Sequence, residues 1–385
     1  MYRIGKEEID AVARVIESRS LFKVNNSLQE SMHAEEELKE KLGAKHALIM
    51  TSGHAALVSA LIAKGIGPGD EVIVPAYTYI ATAMAVVGAG AIPVIAEINE
   101  TLTIDPIDVE KKITARTKAI IPVHIQGFPC DMDAINTIAK KYNLFVLEDA
   151  CQADGGSYKG KRLGTVGDAG AFSFNYFKVI STGEGGALVT DDREVFENAL
   201  IYHDSSAVAF FGDQLKDVDA KPFCGNEYRT NEITSAILRV QLTRLDGILA
   251  DNRKNKKYVM DALNGLVKFS PSNDINGDCA TTLSFSFDNE TTARDFAQKT
   301  GGWLPIDTGK HVYSNWTPIM EKKGAFHPAM DPFKMKENAP CDQPYSKDMC
   351  PVTLDILART VYIGVNPDDS NEKLDSLIEK IKSAL

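Results

Sequence analysis

The sequence predicts an α/β layer fold built on a largely parallel sheet, and three observations carry that expectation. Seven short apolar, β-prone runs recur through the first half of the chain: Ala47–Met50, Glu71–Pro75, Ile92–Ile95, Ala119–Val123, Leu144–Leu147, Gly170–Phe174 and Gly186–Thr190. Patterns with helical spacing separate several of them, at His54–Ala63, Thr82–Gly88 and Asp131–Tyr142. Strands alternating with helices indicate parallel pairing, because each helical crossover returns the chain to the same end of the sheet. Finally, 385 residues with 44% hydrophobic and 25% charged side chains suit an ordinary globular protein with room for two domains.

Taken in order, Lys6–Ser18 places Ile9, Val12, Ala13 and Ile16 at helical spacing. Ser20–Ser31 is polar, contains Asn25-Asn26 and reads as a loop, after which Glu35–Leu42 resumes helix until Gly43 at the C′ position. The seven runs and their helices follow. Beyond Asp192 the character changes: Arg193–Tyr202 is helical, His203–Pro222 is polar and irregular, and Thr230–Arg253 spaces Ile233, Ile237, Val240, Leu245 and Ile248 as one long helix. The remainder holds a β-run at Thr281–Phe287, an aromatic and proline-rich stretch at Trp303–Pro344, a β-run at Thr360–Val365 and an amphipathic helix at Asn371–Ala384. A boundary near Gly247 divides a large domain, residues 1–247, from a smaller one, residues 248–385.

A formal net charge of -11 argues against a nucleic-acid surface, without excluding a local basic pocket. Six cysteines, Cys130, Cys151, Cys224, Cys279, Cys341 and Cys350, are dispersed with no CxxC pair, which suits a reducing cytoplasm better than a disulfide or zinc framework. The N-terminal stretch lacks a signal-peptide core, and no apolar run approaches the roughly 18 residues that span a bilayer. A cytoplasmic protein without membrane contact is expected.

The stretch from Ala171 to Asp192 sets Lys178 between two β-runs, beside a glycine-rich turn at Thr182–Gly186. A lysine held between buried strands must be paired, exposed or chemically useful. The ordinary reading is a solvated loop lysine; the other is a Schiff-base lysine. The second gains weight from the strand Leu144–Asp149, which ends in Glu148 and Asp149. Pyridoxal phosphate needs a carboxylate to keep its ring nitrogen protonated and a lysine to hold its aldehyde carbon. Asp149 fits the first role and Lys178 the second. Glu148-Asp149 also fits a helix N-cap or a metal-binding pair, the latter weakened by the lack of histidine at ligand spacing. Thr51-Ser52-Gly53-His54, between a strand and a helix, suits a phosphate at a helix N-terminus, and Ser173 is placed to add a hydroxyl. Neither a GxxxxGK[ST] loop nor a helix-opening GxGxxG is present.

The Thr51–His54 turn, PAYTYIAT (Pro75–Thr82), PVHIQGFPCDMDAI (Pro122–Ile135), the long block from Leu147 to Lys178, TGEGG (Thr182–Gly186) and CPVTLDILAR (Cys350–Arg359) resemble the DegT/StrS family of sugar aminotransferases. The resemblance runs through nearly the whole chain. It implies the aspartate aminotransferase fold (fold type I): a large domain with a mostly parallel seven-stranded sheet, and a smaller C-terminal α+β domain. It further implies pyridoxal 5'-phosphate as cofactor, a homodimer with shared active sites, and amino transfer to a keto sugar, usually from glutamate or glutamine. Residue by residue, it assigns Lys178 as Schiff-base lysine and proton shuttle, Asp149 as partner of the pyridine nitrogen, and Gln152 as neighbour of the ring hydroxyl. Tyr79 falls where the family stacks an aromatic ring on the cofactor, and Gly53, His54 and Ser173 fall at the phosphate.

Two departures stand out. His54 replaces the family's threonine or small residue, leaving its backbone N–H as the donor. The G-x-N-Y-R pattern reads Gly225-Asn-Glu-Tyr-Arg229, so Glu227 aligns with the asparagine that reaches the partner subunit's phosphate, and Asn226 stands beside it as the substitute. Arg229 and Glu232 match the family.

Relatives that carry histidine in place of the lysine dehydrate their sugars, so Lys178 favours amination over a dehydratase or epimerase. His311–Trp316 and Phe326–Phe333 resemble C-terminal segments of relatives that aminate unactivated polyols or sugar acids. That likeness points to C8 of a lipopolysaccharide octulosonate, with a 3- or 4-keto nucleotide sugar or a keto-inositol as alternatives. An anionic sugar acid calls for a cation, and Arg229, Lys310 and His311 are the candidates; the aromatic residues equally fit packing of the small domain. A non-catalytic cofactor-binding regulator is the reading of another class, but no DNA-binding appendage or basic face is visible.

Overall fold

The computed structural model describes residues 2–24, 27–207 and 218–385. Asn25-Asn26 of the expected loop and residues 208–217 of the expected irregular segment lie outside the described residues.

Two helices, α1 (Lys6–Ser18) and α2 (Glu30–Leu42), precede the sheet. Then follow β1 (His46–Met50), α3 (Gly53–Ala63), β2 (Glu71–Pro75), α4 (Ala81–Gly88), β3 (Ile92–Ala96), α5 (Pro106–Lys112), β4 (Thr117–Ile120), α6 (Met132–Tyr142) and β5 (Phe145–Asp149). A two-residue-per-strand hairpin, β6 (Ser157–Tyr158) and β7 (Lys161–Arg162), leads into β8 (Ala169–Ser173) and β9 (Gly186–Thr190). The seven-stranded sheet runs β1-β9-β8-β5-β4-β2-β3. Its β3-β2-β4-β5-β8 ladder is parallel, whereas β9 is antiparallel to both β8 and β1. The expected α/β class, with a mostly parallel seven-stranded sheet, is therefore observed.

Alternation along each strand divides the side chains between two cores. Leu48, Met50, Val72, Val74 and Leu147 face α3, α4 and α7 (Arg193–His203). Ala47, Ile49, Ile73, Val146 and Val189 face α2, α6 and the long α8 (Glu232–Ala262). Burial on both faces explains why these strands read as continuous apolar runs. Gly247, the expected boundary, lies inside α8: Leu245, Ile248 and Leu249 join the sheet core, and Val259 joins a separate one. That separate core lies under the antiparallel pair β10 (Thr282–Ser286) and β11 (Thr360–Gly364), with α9 (Glu290–Thr300) and α12 (Asn371–Ala384) against it.

Three expectations are corrected. In α1 the buried residues are Glu8, Ala11 and Val15, while Ile9 and Ile16 are 63% and 56% exposed. The helix is turned by its polar ties to α8, where Glu8 accepts from Gln241 Nε2 at 2.7 Å and Arg244 Nε at 2.8 Å. Secondly, α2 begins at Glu30 rather than Glu35, because the buried Glu232 carboxylate accepts from Glu30 N at 2.6 Å and from Ser31 N at 3.1 Å and so caps it from a distance. Thirdly, the aromatic residues of His311–Trp316 do not pack within the small domain, although Trp303 further upstream does pair with Tyr362 of β11. Val312, Tyr313, Trp316 and Ile319 enter the core beneath the large sheet, flanked by the short α10 (Thr317–Met320) and by α11 (Pro351–Ala358). The chain just beyond the expected Trp303–Pro344 stretch covers edge strand β3, where Tyr345 Oη donates to Pro93 O at 2.5 Å. Helix α5 was not expected, although Asp105 before Pro106 is its N-cap signal.

Among the described residues no helix is long and apolar enough to cross a membrane.

Candidate active site

The site lies beyond the carboxyl ends of β5 and β8, where open α/β sheets bind ligands. Asp149 ends β5, so alternation sends it and Glu148 to opposite faces. Its buried carboxylate accepts from Thr82 Oγ1 at 2.7 Å through Oδ2 and from Cys151 N at 3.1 Å through Oδ1. Two donors, one to each oxygen, hold the carboxylate in one orientation. Glu148 turns the other way and caps no helix. It accepts from the backbone N–H groups of Gly164 (2.8 Å), Val166 (2.6 Å) and Gly167 (2.6 Å) and meets His124 Nε2 at 2.9 Å, tying down the loop that enters β8. Among the described residues no His, Cys, Asp and Glu cluster is placed to hold a metal.

The β1–α3 turn supplies an anion cradle. Ser52 caps α3 by accepting from Ala55 N at 3.1 Å. A Cβ on Gly53 would lie 2.5 Å from Cys151 Sγ, 3.0 Å from Ser173 Cβ and 3.1 Å from Phe172 O. A Cβ on Gly186 would stand 2.2 Å from the carbonyl carbon of Ser52. Both positions therefore require glycine, and the contacts bring Gly53, Ser173 and the α3 N-terminus to one point. His54 touches Ala81 O through Nδ1 at 3.3 Å. Desolvation lowers its pKa below the usual histidine value, opposed by Ala81 O and Asp149, so it adds no full positive charge there at neutral pH.

Lys178 sits on the β8–β9 loop, closed by Tyr176 N to Gly183 O (3.0 Å), Thr182 N to Phe174 O (2.8 Å) and Lys178 N to Asn175 O (3.1 Å). Gly183 adopts a left-handed φ of 86° in that closure. The loop leaves β8, which runs parallel to β5 with Ala171 beside Asp149, so Lys178 follows at the same end of the sheet as Asp149. Cys151 is pushed well up by burial and by Asp149, so its thiol stays protonated.

The outer wall is a backbone-paired seam. Thr78 N donates to His311 O at 2.9 Å, Ile80 N to Lys310 O at 3.0 Å, and Tyr313 N to Ala76 O at 2.9 Å. Tyr79 is thereby held beside both basic residues. Lys310 Nζ lies 4.9 Å from its ring centroid and 3.4 Å from its hydroxyl, and the His311 ring is tilted against it at 5.5 Å. Burial keeps His311 below the usual histidine range, opposed by Thr308 O and reinforced by Lys178 and Lys310. Gln152 accepts from Gln126 N at 3.0 Å, so its amide oxygen is engaged and its NH₂ remains to donate.

The C-terminal side of the sequence pattern is bound elsewhere. Asn226 Nδ2 donates to Tyr202 Oη at 2.6 Å. Arg229 pairs with Glu227 at 2.7 Å and with Asp204 at 3.9 Å, and its guanidinium lies 5.1 Å from the Phe22 ring centroid. Of the three candidate cations, Lys310 is thus left without a carboxylate partner among the described residues. Sequence reasoning passed over Thr82 and Thr78, whose hydroxyls lie 2.8 Å apart behind Asp149. Their four-residue spacing at the start of α4 was the available signal.

The model of the DegT/DnrJ/EryC1/StrS aminotransferase family matches residues 2–299. The spore coat polysaccharide biosynthesis protein SpsC of Bacillus subtilis (strain 168) is 44% identical over 251 residues, which are 63% of this chain and 63% of that protein. The GDP-perosamine synthase of Caulobacter vibrioides is 39% identical over 252 residues, 64% of this chain and 65% of that protein. The chain thus aligns with a little under two thirds of the length of these two relatives. Among solved structures, S. venezuelae DesV in complex with a ketimine intermediate superposes with a TM-score of 0.79 at 28% identity, over 98% of this chain and 94% of that one.

Proposed function

The chain belongs to the DegT/DnrJ/EryC1/StrS aminotransferase family, and from that premise we propose that it transfers an amino group from glutamate to a keto or aldehyde sugar, with pyridoxal phosphate as its cofactor. The observation that carries this reading is the convergence of Lys178, the doubly hydrogen-bonded Asp149 and the closed cradle at Gly53 around one sheet end. The residues fit the group. The N–H groups of Gly53 and His54, with the Ser173 hydroxyl, would hold the phosphate, and any side chain at position 53 would fill that cradle. Asp149 would hold a proton on the ring nitrogen, Gln152 would donate to the ring hydroxyl, and Tyr79 would cover the ring face. Bound there, pyridoxal phosphate supplies an electron sink that lets a proton leave the carbon bearing the amino group. Lys178 takes that proton and returns it to the neighbouring carbon, a task for a flexible amine within reach of both.

For the substrate we favour a sugar acid, with C8 of 3,8-dideoxy-8-oxo-manno-octulosonate as the specific choice, giving the 8-amino sugar of a lipopolysaccharide. Lys310 supports this choice: it lies at the wall of the site without a carboxylate partner among the described residues, beside the neutral His311. A nucleotide-linked keto sugar is the second reading, favoured by the name of the Caulobacter relative. The amino form of the holoprotein, mixed with each keto sugar in turn, decides between them. Return of the visible absorbance with the octulosonate aldehyde supports the first reading, and return with a nucleotide-linked keto sugar alone supports the second. No bleaching by glutamate in a cofactor-loaded protein would remove both.

We also propose a homodimer that completes the site. Tyr176 and Phe177, which precede Lys178, are 61% and 70% exposed, and Ile9 and Ile16 form an outward apolar face on α1. Such a surface suits a second copy. The six unpaired thiols favour a cytoplasmic setting.

A further inference from the structure

The turn Ile125–Gly127, which follows β4, joins the end of β5 to the loop before β10. At its start His124 N donates to Asp149 O at 3.1 Å, and at its end Cys279 N donates to Gly127 O at 3.2 Å. The approach is close: a Cβ on Gly127 would stand 2.5 Å from Cys279 Cβ. Between these ties Gln126 has a φ of 53° and a ψ of 17°, the left-handed region that a glutamine seldom enters. A side-chain-bearing residue stays there only when its surroundings over-determine it, and such positions gather where geometry matters to function.

Three hydrogen bonds supply that hold. Thr281 Oγ1 donates to the Gln126 carbonyl oxygen at 3.0 Å, and Thr282 Oγ1 donates to Gln126 Oε1 at 3.1 Å. Gln126 N in turn donates to Gln152 Oε1 at 3.0 Å. Both threonines are fixed at the entry to β10: Val365 N donates to Thr281 O at 2.8 Å, and Thr282 pairs with Gly364 of β11. A backbone N–H can only donate, so it decides which end of the Gln152 amide faces it. The oxygen is taken, and the NH₂ is the end left for a ligand.

We propose that Gln126 is a positioning residue, through which Thr281 and Thr282 orient the Gln152 amide toward the cofactor's ring hydroxyl. The inference rests on the aminotransferase reading. Without the two threonine hydroxyls, Gln126 relaxes toward the negative φ that its Cβ prefers. Its N–H then turns, and the Gln152 amide is free to rotate. A rotated amide sets its oxygen, an acceptor, where a donor is needed. The cofactor is therefore held best when the β10–β11 pair is seated against the turn.

A double-mutant cycle on the full chain tests this. One arm is Gln152→Ala; the other joins Thr281→Val to Thr282→Val, which keeps shape and removes both hydroxyls. The readouts are the dissociation constant for pyridoxal phosphate and the position of the visible band of the loaded protein, neither of which needs turnover. Wild type first reports on the functional reading: without a visible band, that reading and this one both fail. With the band present, each arm is expected to weaken binding about fivefold, the worth of one neutral hydrogen bond, and to move the band in the same direction. All three substitutions together are expected to do no more than Gln152→Ala alone, and Thr281→Ser with Thr282→Ser to restore wild-type values. Additive losses, a threonine pair that binds as wild type does, or a Gln152→Ala variant that loses nothing overturns the proposal and leaves the aminotransferase reading intact. Should the threonine pair fail to fold, Thr282→Val alone takes its place in the cycle with the same outcomes. Failure of that variant to fold as well also overturns the proposal, because the hydroxyls would then be holding the two cores together.

Discussion

The Thr82 hydroxyl donates to the Asp149 carboxylate at 2.7 Å and stands 2.8 Å from the Thr78 hydroxyl. A carboxylate accepts only, so Thr82 spends its one proton on Asp149 and Thr78 donates to Thr82. The relay fixes one oxygen of Asp149, and the Cys151 N–H fixes the other. Thr82→Val keeps shape and removes the donor. Loss of one charge-assisted hydrogen bond, about 1.5–3 kcal/mol, frees one Asp149 oxygen to turn away from the ring nitrogen it would hold. Expected is a fall of at least about tenfold in kcat/KM, with Thr82→Ser close to wild type; steady-state kinetics on the two variants checks it.

Glu232 ties the start of α8 to the start of α2 by accepting from Glu30 N, Ser31 N and Ser31 Oγ, the last at 2.6 Å. Glu232→Ala leaves three donors without that acceptor in a fully buried place. A loss of about 2–4 kcal/mol is expected in urea unfolding. Cofactor uptake by the protein that remains folded should be normal, since α2 does not reach the cradle.

The contrast between Lys178 and Glu232 shows what the chain's sequence discloses. Lys178 is legible because its chemistry is local: a glycine turn, two β-runs and a strand-end carboxylate all lie no more than 178 − 149 = 29 positions from it. The parallel sheet is legible because its strands are buried on both faces and read as apolar runs. Glu232 acts across roughly 200 positions, and no periodicity signals a cap supplied from so far away. The orientation of α1 fails to show for the same reason: Ile9 and Ile16 have helical spacing, yet buried polar ties to Gln241 and Arg244 choose the opposite face. Gln126 is invisible in the sequence because the threonines that hold it, Thr281 and Thr282, lie 155 and 156 positions away.

His203 makes a prediction about pH. Its Nδ1 meets Leu200 O at 2.7 Å, its Nε2 has no partner among the described residues, and burial together with the Lys23 and Arg229 charges holds its pKa well below the ordinary value, against the pull of Leu200 O. Below about pH 6.5 the unfolded ring takes up a proton and the folded one does not. The unfolded state then binds more protons, so stability is present above that pH and is lost as pH falls. Between pH 7 and 5 the urea midpoint of wild type is expected to drop, and that of His203→Gln to drop less steeply. An unchanged slope would show that the ring ionises freely in the fold.

Lys310 separates the two halves of the reaction. If it receives the carboxylate of a sugar acid, Lys310→Gln should raise the KM for that keto substrate about tenfold, the worth of one exposed charge-assisted contact. The rate at which glutamate bleaches the cofactor should stay within about twofold. Equal damage to both halves, read in single-turnover absorbance traces, would assign Lys310 to the cofactor rather than to the sugar.

The central claim is that Lys178 carries the cofactor. Borohydride reduction of the loaded protein, followed by peptide mapping, fixes the cofactor to the lysine that holds it. The expected result is one modified peptide, spanning Lys178, with none from a folded Lys178→Ala variant that has also lost turnover. Modification at Lys310 or any other lysine in wild type, or full turnover in Lys178→Ala, would contradict the account.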